Sequence, residues 1–414
     1  MRPYAGRHIL LGVTGGIASY KTAWLARLLA QAGALVDVVL THSAREFVGA
    51  VTFEALTGRP VHTELVAAGH ALDHITLAQA AELVVVAPAT ADFLARAASG
   101  RANDLLAACL LAARAPVLLV PAMNDRMWAH RQTVANVAHL RALGYGVLDP
   151  AVGPLASPQE GAGPGRMAEP ETIFDHLGRL LEPGGTLAGR RVLVTAGPTR
   201  ERLDPVRFLS NESSGKMGVA VAAAAWRRGA EVTLVAGPLG VPAPTGACVV
   251  HVETTAEMRD AVRAALPNAD VLVMAAAPAD FRPKAAAASK ITKARRPAAI
   301  PLADTADILT STRDARRPGA VVVGFALETD DALGRAKEKL AAKALDLIVV
   351  NDAGEEGAGF GVDTNRVTLL APDAEAEALP LLPKSEVADA ILDRVEQLLG
   401  VRKSRGAKKK TDGR

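Results

Sequence analysis

Residues 195–218 constrain the fold most, because they connect an apolar strand-like run, 192–194, to an Ala-rich helix-like run, 219–226. A strand, a glycine-bearing loop and a helix N-terminus form a site for an anion, since the first backbone N–H groups of the helix point outward and the helix dipole favours negative charge. Lys216 and Arg207 add positive charge to this loop. An ordinary strand-to-helix connection is the alternative, but connections of this length usually carry a function.

The alternation of apolar runs with small-residue loops and helical stretches continues along the whole chain. The runs interpreted as strands are 8–13, 35–40, 83–87 and 117–120 in the first half, and 192–194, 232–235, 271–275, 321–325 and 345–350 in the second. Continuous apolar strands are typical of parallel sheets that are covered on both faces. Both halves are therefore predicted to be Rossmann-like α/β domains, each with three α/β/α layers and a largely parallel sheet.

The length of 414 residues is too great for one hydrophobic core, and the Pro- and Gly-containing segment 182–186 is the natural boundary. The predicted domains are 1–182 and 183–400. The net charge of +3 depends on the last 14 residues, which contain seven Lys or Arg and one Asp, so the other 400 residues carry −3. Residues 401–414 are predicted to be a disordered basic tail, and no specific nucleic-acid partner is predicted, because that would need basic residues spread over a folded face.

The lengths of the apolar runs and the pattern of the cysteines indicate where in the cell the protein is expected. No apolar run reaches the roughly 18 residues that span a bilayer, and 9–13 is interpreted as a first strand and not as part of a signal peptide. Cys109 and Cys248 form no metal-ligand pattern. A cytoplasmic protein with no membrane partner is predicted.

The ends of the predicted strands offer small or hydroxyl-bearing residues to one crevice, where ligands of open parallel sheets bind. The first strand ends in a small-residue loop at 14–18, and the second ends in Thr41-His42-Ser43, without the acidic residue that suits a dinucleotide ribose. These features favour a mononucleotide phosphate and make NAD the weaker alternative. The Pro- and Gly-rich segment 149–165 is interpreted as either a disordered connection or a lid.

Residues 8–170 resemble the flavin-dependent cysteine decarboxylases. The matching motifs are GGIASYK at 15–21, PATAD at 88–92, GRANDL at 100–105, PAMN at 121–124 and GPGRM at 163–167, and Asp73-His74-Ile75 stands in place of the family's Gly-His-Ile. The resemblance implies FMN as cofactor and a homo-oligomer, since this family completes its flavin site at contacts within trimers. The residues that it implies for FMN binding are Gly15, Gly16, Ile17, Thr41, Ser43, Thr90, Ala91, Asp92, Phe93 and Ala122.

Two further residues take chemical roles by this resemblance. His74 would be the catalytic histidine, and Asn124 would bind the substrate carboxylate; a surface histidine and a turn asparagine are the alternatives. The implied mechanism is flavin oxidation of the cysteine thiol to a thioaldehyde, whose C=S group is an electron sink for loss of CO₂. Reduction of the product then needs a hydride and a proton.

The second half resembles the phosphopantothenate–cysteine ligase half of the bifunctional coenzyme A biosynthesis flavoproteins, through GPTRE, DPVR, Asn211 and SSGKMG within 197–218. The whole resemblance covers about residues 7–400. It implies that 4′-phosphopantothenate is activated by CTP as an acyl-cytidylate, with Mg²⁺, and then joined to cysteine. The ligase residues that it implies are Arg207, Asn211, Asp280, Lys290, Phe325, Lys339 and Lys343, with Asn351 as a weaker candidate; the metal ligands are unknown.

The chain departs from the decarboxylase family in the flexible loop, where the family carries an acidic cysteine. No cysteine lies between 110 and 247. Aligned from one side, the position falls on Ser157, and aligned from the other it falls on Gln159. Glu160 is the first candidate for the missing acid and Ser157 the second, although a solvated loop carboxylate is the simpler interpretation of Glu160.

Three functions are compatible with these patterns. The leading one is a bifunctional enzyme, with a CTP-dependent ligase in the second half and an FMN-dependent decarboxylase in the first. One alternative is a ligase whose first half is a non-catalytic, flavin-binding oligomerisation module. The other is an NAD-dependent oxidoreductase.

Overall fold

The computed structural model describes residues 3–66, 71–182, 185, 187–292, 299–328, 332–352, 359, 361–372 and 374–411. The chain divides into two compact units, Met1–Pro183 and Gly184–Arg414. Within the described part, no helix is both long enough and apolar enough to cross a membrane.

The first unit alternates strands and helices in the order that its apolar runs predict. Its strands are β1 His8–Val13, β2 Leu35–Leu40, β3 Val61–His62, β4 Leu83–Ala89, β5 Val117–Pro121, β6 Gly146–Val147, β7 Ala151–Pro154 and β8 Ala162–Arg166. Its helices are α1 Ser19–Gln31, α2 Ala50–Thr57, α3 Asp73–Ala80, α4 Ala91–Ala98, α5 Leu105–Ala112, α6 Asp125–Ala129, α7 Arg131–Ala142 and α8 Pro170–Leu181.

Six strands of this unit form a parallel sheet in the order β3-β2-β1-β4-β5-β6. Alternate residues of β1 enter different cores: Ile9 and Leu11 pack with α1 and α8, while Leu10 packs with α4, α5 and α7. The sheet is therefore covered by helices on both faces. This strand order is that of the Rossmann fold, and the predicted fold class is confirmed.

The segment 149–165 is more regular than the sequence predicts. It contains the antiparallel hairpin β7–β8, and Ser157 and Glu160 form a capping box around a single 3₁₀ turn. The N–H of Met123 donates to Gly165 O at 3.0 Å, which holds the hairpin beside the end of β5. Backbone hydrogen bonds stabilise this hairpin, and such bonds leave no hydrophobic period in a Pro- and Gly-rich sequence.

The second unit repeats the architecture with a larger sheet. Its strands are β9 Arg191–Ala196, β10 Arg200–Arg202, β11 Phe208–Ser210, β12 Glu231–Ala236, β13 Cys248–His251, β14 Val271–Met274, β15 Phe281–Pro283, β16 Leu302–Asp304, β17 Val321–Glu328, β18 Leu347–Asp352, β19 Thr364–Asn365, β20 Val367–Leu370, β21 Glu377–Ala378 and β22 Leu382–Pro383. Its helices are α9 Lys216–Arg227, α10 Thr255–Ala265, α11 Ile308–Ser311, α12 Ala332–Ala342 and α13 Lys384–Thr411.

The sheet of the second unit has the order β13-β12-β9-β14-β17-β18-β20-β21, parallel from β13 to β18 and antiparallel at β20 and β21. Val192 and Val194 pack with α9 and α13 on one face, and Leu193 packs with α10 and α12 on the other. The prediction of a second, largely parallel three-layer domain is confirmed. Among the described residues, three antiparallel ribbons, β10–β11, β15–β16 and β19–β22, lie outside this sheet.

The last helix differs from the sequence-based expectation for 401–414. Helix α13 continues to Thr411, through most of the segment that is predicted to be disordered, and 412–414 lie outside the described residues. Lys and Arg, which make up half of this segment, are good helix formers.

A buried ion pair between Arg228 and Asp389 links α13 to the end of α9. Arg228 is 4% exposed, and its Nη2 donates to Asp389 Oδ1 at 3.0 Å and to Asp389 O at 3.1 Å. Arg227 donates to the same carboxylate oxygen, and Asp393 and Glu396 also face Arg228. Removing one member of a buried pair leaves a charge with too few partners, which is more costly than the pair itself is favourable.

We expect Asp389→Ala to lower the free energy of unfolding of the second unit by about 3 kcal/mol, because Arg228 stays buried after its closest partner is lost. Urea unfolding of the fragment 184–414 measures this. The control is Glu377→Ala, which removes the half-exposed ion pair with Arg394 on the same helix and should cost less than about 1 kcal/mol. Equal midpoints for the two variants would show that the Arg228 cluster does not stabilise the fold as described.

Candidate active sites

Three threonines meet at the carboxyl ends of neighbouring strands in the first unit. Thr14 Oγ1 donates to Pro88 O at 2.7 Å and accepts from the N–H of Thr90 at 3.1 Å. Thr90 caps α4, and Thr41 caps the short 3₁₀ helix His42–Glu46. Thr41 and Thr90 were predicted from the sequence, whereas Thr14 was not, although it opens the glycine-bearing loop after β1.

The β1–α1 loop lies beside these threonines. A Cβ at Gly15 would stand 2.4 Å from Ser43 Cβ, so only glycine fits there, and a Cβ at Gly16 would be 3.9 Å from Thr90 Cγ2. Helix α1 begins after Ala18 without a side-chain cap. The N–H groups of Ser19 and Lys21 donate to the carbonyls of Gly16 and Ala18 at 3.0 and 2.9 Å, and the helix dipole favours an anion at this end, next to several hydroxyl groups.

The other selected residues of this crevice differ in accessibility. Ile17 is exposed, whereas the side chain of Phe93 is fully buried in the core, so only its backbone can face a ligand. The carboxylate of Asp92 accepts from Arg96 Nε at 2.9 Å. The backbone N–H of Ala122 donates to Ala89 O, which fixes the end of β5 against β4.

A cavity of about 610 Å³ lies between α1 and the β7–β8 hairpin. Its lining includes Ile17, Lys21, Ala122, Asn124 and Glu160. Asn124 Nδ2 donates to Glu160 Oε1 at 2.9 Å, and Glu160 Oε2 accepts from the N–H of Ser157 at 3.1 Å. The structure therefore joins the two predicted residues Asn124 and Glu160 directly, with Ser157 supporting the turn that presents the carboxylate.

Lys21 is a charged residue that lines this cavity and was not predicted from the sequence. Its side chain is buried, and Nζ donates to Met167 O at 3.2 Å and to Glu169 Oε1 at 3.1 Å. The lysine is visible in the GGIASYK motif, but its burial is not, because a lysine in a first helical turn is usually solvated.

His74 lies apart from Asn124. It lines a different, mostly apolar cavity with Leu65, Val66, Leu111 and other residues, and the two cavities share no lining residue. His74 Nδ1 is buried and has no hydrogen-bond partner among the described residues. Val66, Leu72 and Leu111 near this cavity are exposed apolar side chains.

In the second unit, the segment that follows β9 ends at Gly215, the residue immediately before helix α9. Gly215 has φ +79°, and a Cβ there would lie 2.4 Å from Leu239 Cδ2, so the conformation and the space both require glycine. Asn211 Nδ2 donates to the carbonyls of Ala277 and Pro278 at 3.2 and 3.1 Å. The predicted Asn211 is thereby held beside the end of β14.

Two cavities of about 470 and 230 Å³ adjoin this loop and share Ala276, Asp280 and Phe325 in their walls. The larger one is also lined by Asn211, Ser213, Gly215 and Asn351, and the smaller one by Thr305, Asp307 and Lys343. The structure brings five selected residues to these cavities, namely Asn211, Asp280, Phe325, Lys343 and Asn351.

An ion pair that was not predicted lies in the smaller cavity. Lys343 Nζ is 2.6 Å from Asp307 Oδ2. Burial favours the neutral form of Asp307, but hydrogen bonds from Lys343 and Thr310 outweigh it and lower the pKa of the carboxyl. Lys343 follows the last residue of α12, and Lys339 is half-buried on that helix.

Lysines also surround the mouth of the larger cavity. Lys216 Nζ donates to Asp363 Oδ1 at 2.7 Å, so its charge is partly neutralised there. Lys384 is buried and donates to Gly359 O at 2.7 Å; burial and the charge of Lys216 lower its pKa. No sequence motif indicated Asp363, which precedes β19, or Lys384, the first residue of the last helix.

The two predicted cationic residues Lys290 and Arg207 lie in different surroundings. Lys290 is exposed and, among the described residues, does not line the two cavities or form an ion pair. Arg207 donates through Nε and Nη2 to Asp204 Oδ2 at 3.0 and 2.6 Å and also donates to Ile291 O. In the described ranges, no group of three His, Cys, Asp or Glu side chains could hold a metal ion.

Comparison with known families covers both units. The flavoprotein family model matches residues 1–182, and the model described as DNA/pantothenate metabolism flavoprotein C-terminal domain matches 187–399.

Curated relatives align over nearly the whole length. The coenzyme A biosynthesis bifunctional protein CoaBC of Mycolicibacterium smegmatis is 49% identical, covering 95% of this chain and 98% of the relative. The protein of the same name from Vibrio cholerae is 43% identical, covering 96% and 100%. A crystal structure of the C-terminal domain of a CoaBC protein is 40% identical, with a TM-score of 0.45, and covers 52% of this chain and 99% of that chain. With about half of all positions shared from end to end and both family models matched, this chain belongs to the family of bifunctional coenzyme A biosynthesis flavoproteins.

Proposed function

We propose that the second unit joins 4′-phosphopantothenate to cysteine with CTP, and that the first unit decarboxylates the product, 4′-phosphopantothenoylcysteine, with FMN. The observation that carries the decarboxylase assignment is the 2.9 Å hydrogen bond between Asn124 and Glu160 inside a cavity next to the glycine loop. A purely structural module has no need for an amide and a carboxylate at the wall of a cavity of this size.

The β1–α1 crevice suits FMN. The dipole at the start of α1 and the hydroxyl of Thr90 favour a phosphate, and Gly15 and Gly16 leave room for close approach. The hydroxyls of Thr14 and Thr41 donate to Pro88 O and Val13 O and so hold the walls of the crevice in place. When bound, FMN would oxidise the substrate thiol to a thioaldehyde, from which CO₂ is lost easily.

The chain's own residues would orient the substrate and supply a proton. Asn124 would donate hydrogen bonds to the substrate carboxylate, and Glu160 would pass a proton to the product. Since Asn124 Nδ2 now bonds Glu160, substrate binding would exchange this partner for the substrate carboxylate. Ser157 would act mainly through the turn that carries Glu160.

His74 supports a homo-oligomer. It lies in a cavity separate from that of Asn124, and exposed Val66, Leu72 and Leu111 surround it. Exposed apolar patches of this kind are usually covered by a partner. We propose that a neighbouring copy, in a trimer, brings its His74 to the flavin site.

The ligase would act in two steps at the cavities of the second unit. The carboxylate of 4′-phosphopantothenate attacks the α-phosphate of CTP, which gives the acyl-cytidylate and pyrophosphate. The amine of cysteine then attacks the acyl carbon, forming the amide and releasing CMP and a proton. Lys290, Lys339 and Lys343 would stabilise charge on the phosphates, with Mg²⁺ bound chiefly by the nucleotide itself.

Different residues of the second unit would contact 4′-phosphopantothenate and the nucleotide. Asn211 and Arg207 would contact 4′-phosphopantothenate or its acyl intermediate, whereas Asp280 and Phe325 would contact the nucleotide, since both line the two adjoining cavities. We also propose a cytoplasmic location, which the unpaired thiols of Cys109 and Cys248 favour.

A single incubation separates the bifunctional enzyme from its alternatives. The protein is mixed with 4′-phosphopantothenate, cysteine, CTP and Mg²⁺, and the mass of every product is determined. We expect CMP, pyrophosphate, CO₂ and 4′-phosphopantetheine. Accumulation of 4′-phosphopantothenoylcysteine without CO₂ would favour a non-catalytic flavin module, and no amide at all would contradict the ligase.

The purified protein should be yellow with FMN, and residues 1–182 alone should retain it, because every residue proposed to contact the flavin lies in the first unit. The visible spectrum of the fragment is the measurement. The fragment must first be shown to oligomerise, since a neighbouring copy is proposed to complete the site. A folded, oligomeric fragment that stays colourless after addition of FMN would contradict this assignment.

Asn211→Ala and Lys290→Ala should each lower amide formation by at least about 100-fold, because each removes a group from the charge-stabilising site of the ligase. Lys290→Ala should block formation of the acyl-cytidylate, while Asn211→Ala should affect mainly the step after it. Decarboxylation of supplied 4′-phosphopantothenoylcysteine is the internal control and should stay at the wild-type rate. Wild-type ligation in both variants would show that these residues are wrongly assigned.

Glu160→Gln should raise the proportion of the oxidised enethiol product relative to 4′-phosphopantetheine, because glutamine keeps the hydrogen bonds of the turn but cannot donate the proton. Ser157→Ala should have a smaller effect, through the lost cap. The neighbouring Gln159→Ala is the matched control and should leave the product ratio unchanged. If neither Glu160→Gln nor Ser157→Ala shifts the ratio, water or the reduced cofactor must protonate the product.

A further inference from the structure

The Asp204 carboxylate is the most heavily hydrogen-bonded side chain of the ligase loop. It is 1% exposed. Its Oδ1 accepts from the N–H groups of Val206 and Arg207 at 2.8 and 2.9 Å, and its Oδ2 accepts from Arg207 Nε and Nη2 at 3.0 and 2.6 Å. These bonds close the turn between β10 and β11 around a single buried acid.

The same carboxylate reaches a second segment that is distant in sequence. Oδ2 accepts from the N–H of Ile291 at 3.1 Å, and the carbonyl of Ile291 accepts from Arg207 Nη2. The N–H of Ala287 donates to Leu203 O at 2.9 Å. The segment is therefore fastened to the β10–β11 turn on both sides of Lys290.

Asp204 must be charged to accept from all of these donors. Burial by itself favours the neutral acid, but the hydrogen bonds from Val206, Ile291 and Arg207 outweigh it and hold the pKa of the carboxyl well below its usual range. The negative charge is matched by the guanidinium of Arg207, so the cluster is internally compensated. Such a cluster fixes geometry more than it attracts an external anion.

Lys290, which lies between the two attachment points, has no such partner. Lys290 is exposed, and among the described residues its ammonium makes no hydrogen bond or ion pair. A lysine side chain has four rotatable bonds, so the position of its charge depends on how firmly its backbone is held. Ile291, the next residue, is held at both its N–H and its C=O.

We propose that Asp204 is a positioning residue for Lys290 in acyl-cytidylate formation: with Arg207 it fixes the backbone of Ile291 and so directs the Lys290 ammonium to the charge that develops on the phosphate. This role rests on the proposed ligase function. It also gives Arg207 a structural task, through Nε and Nη2, in addition to its proposed contact with substrate.

The test compares Asp204→Asn with wild type in the full chain. We expect kcat for acyl-cytidylate formation to fall about 10- to 100-fold, because displacement of a catalytic group by about 1 Å has effects of that size. KM for CTP should change less than about threefold, since the interaction strengthens mainly in the transition state. Hydrogen exchange at the Ile291 amide should become at least about tenfold faster.

Two further variants keep the test decisive. Asp204→Glu retains the charge but shifts it by one methylene, so its kcat should lie between those of wild type and Asp204→Asn. If Asp204→Asn does not fold, Asp204→Glu takes its place in the comparison. Asp270→Asn is the matched control, because Asp270 is also buried and accepts from Arg190, Arg317 and a backbone N–H, but precedes β14 at the opposite end of the strand. It should leave kcat unchanged.

Three results would overturn the proposal. One is a kcat for Asp204→Asn within twofold of wild type, and another is unchanged exchange at Ile291. The third is an equal loss of kcat in Asp270→Asn at an equal loss of melting temperature, which would assign the effect to stability. A wild-type protein that forms no acyl-cytidylate from CTP would instead overturn the proposed ligase function, and this role with it.

Discussion

Parallel pairing of the strands is the constraint on which both units depend. Because β1, β2 and β4 run in the same direction, their carboxyl ends meet at one edge of the sheet, and each end opens into a loop or a helix start. The second unit repeats this at β9, β14 and β17. Residues far apart in sequence thus share one crevice in each unit, and helices on both faces leave that edge as the accessible one.

Beyond the sheet edges, short antiparallel ribbons carry residues to which we assign chemical roles. The β7–β8 hairpin presents Glu160 to Asn124, and the β10–β11 hairpin presents Asp204 to the segment of Lys290. Neither ribbon belongs to the main sheet of its unit. The first is fixed by the backbone bond from Met123 to Gly165, and the second by the bond from the Ile291 N–H to the Asp204 carboxylate. Such attachments permit loops to be varied while the sheet stays constant.

Several charged side chains in this protein form ion pairs or hydrogen bonds with other parts of the same chain. Arg228 joins two helices, Asp204 joins two loops, and Lys343 is paired with Asp307 at a cavity wall. A charge near a cavity is therefore not in itself evidence of ligand contact. Lys290 differs from these, since among the described residues it is exposed without an ionic partner.

The fold could be predicted well because its signals are local. The bounds of β1 and β2 agree with the apolar runs residue for residue, and β4 and β5 extend only slightly past them. A buried parallel strand is apolar along most of its length, so that burial is visible in the sequence itself, although β2 also contains the buried Asp37. The hairpin within 149–165 was not predicted, since the buried positions of β8 are Gly163 and Gly165, which leave no hydrophobic pattern.

The sequence alone determined the fold class, the family resemblance and most of the residues near the two crevices. Only the tertiary structure decided which of them meet. Asn124 bonds Glu160, 36 residues away, whereas His74 lies in a separate cavity of the same unit. Arg207 bonds Asp204 and Ile291, 84 residues further on. Hydrophobic periodicity reports whether one residue is buried, but a hydrogen bond depends on the positions of two, and those are fixed only when the sheets and ribbons have packed.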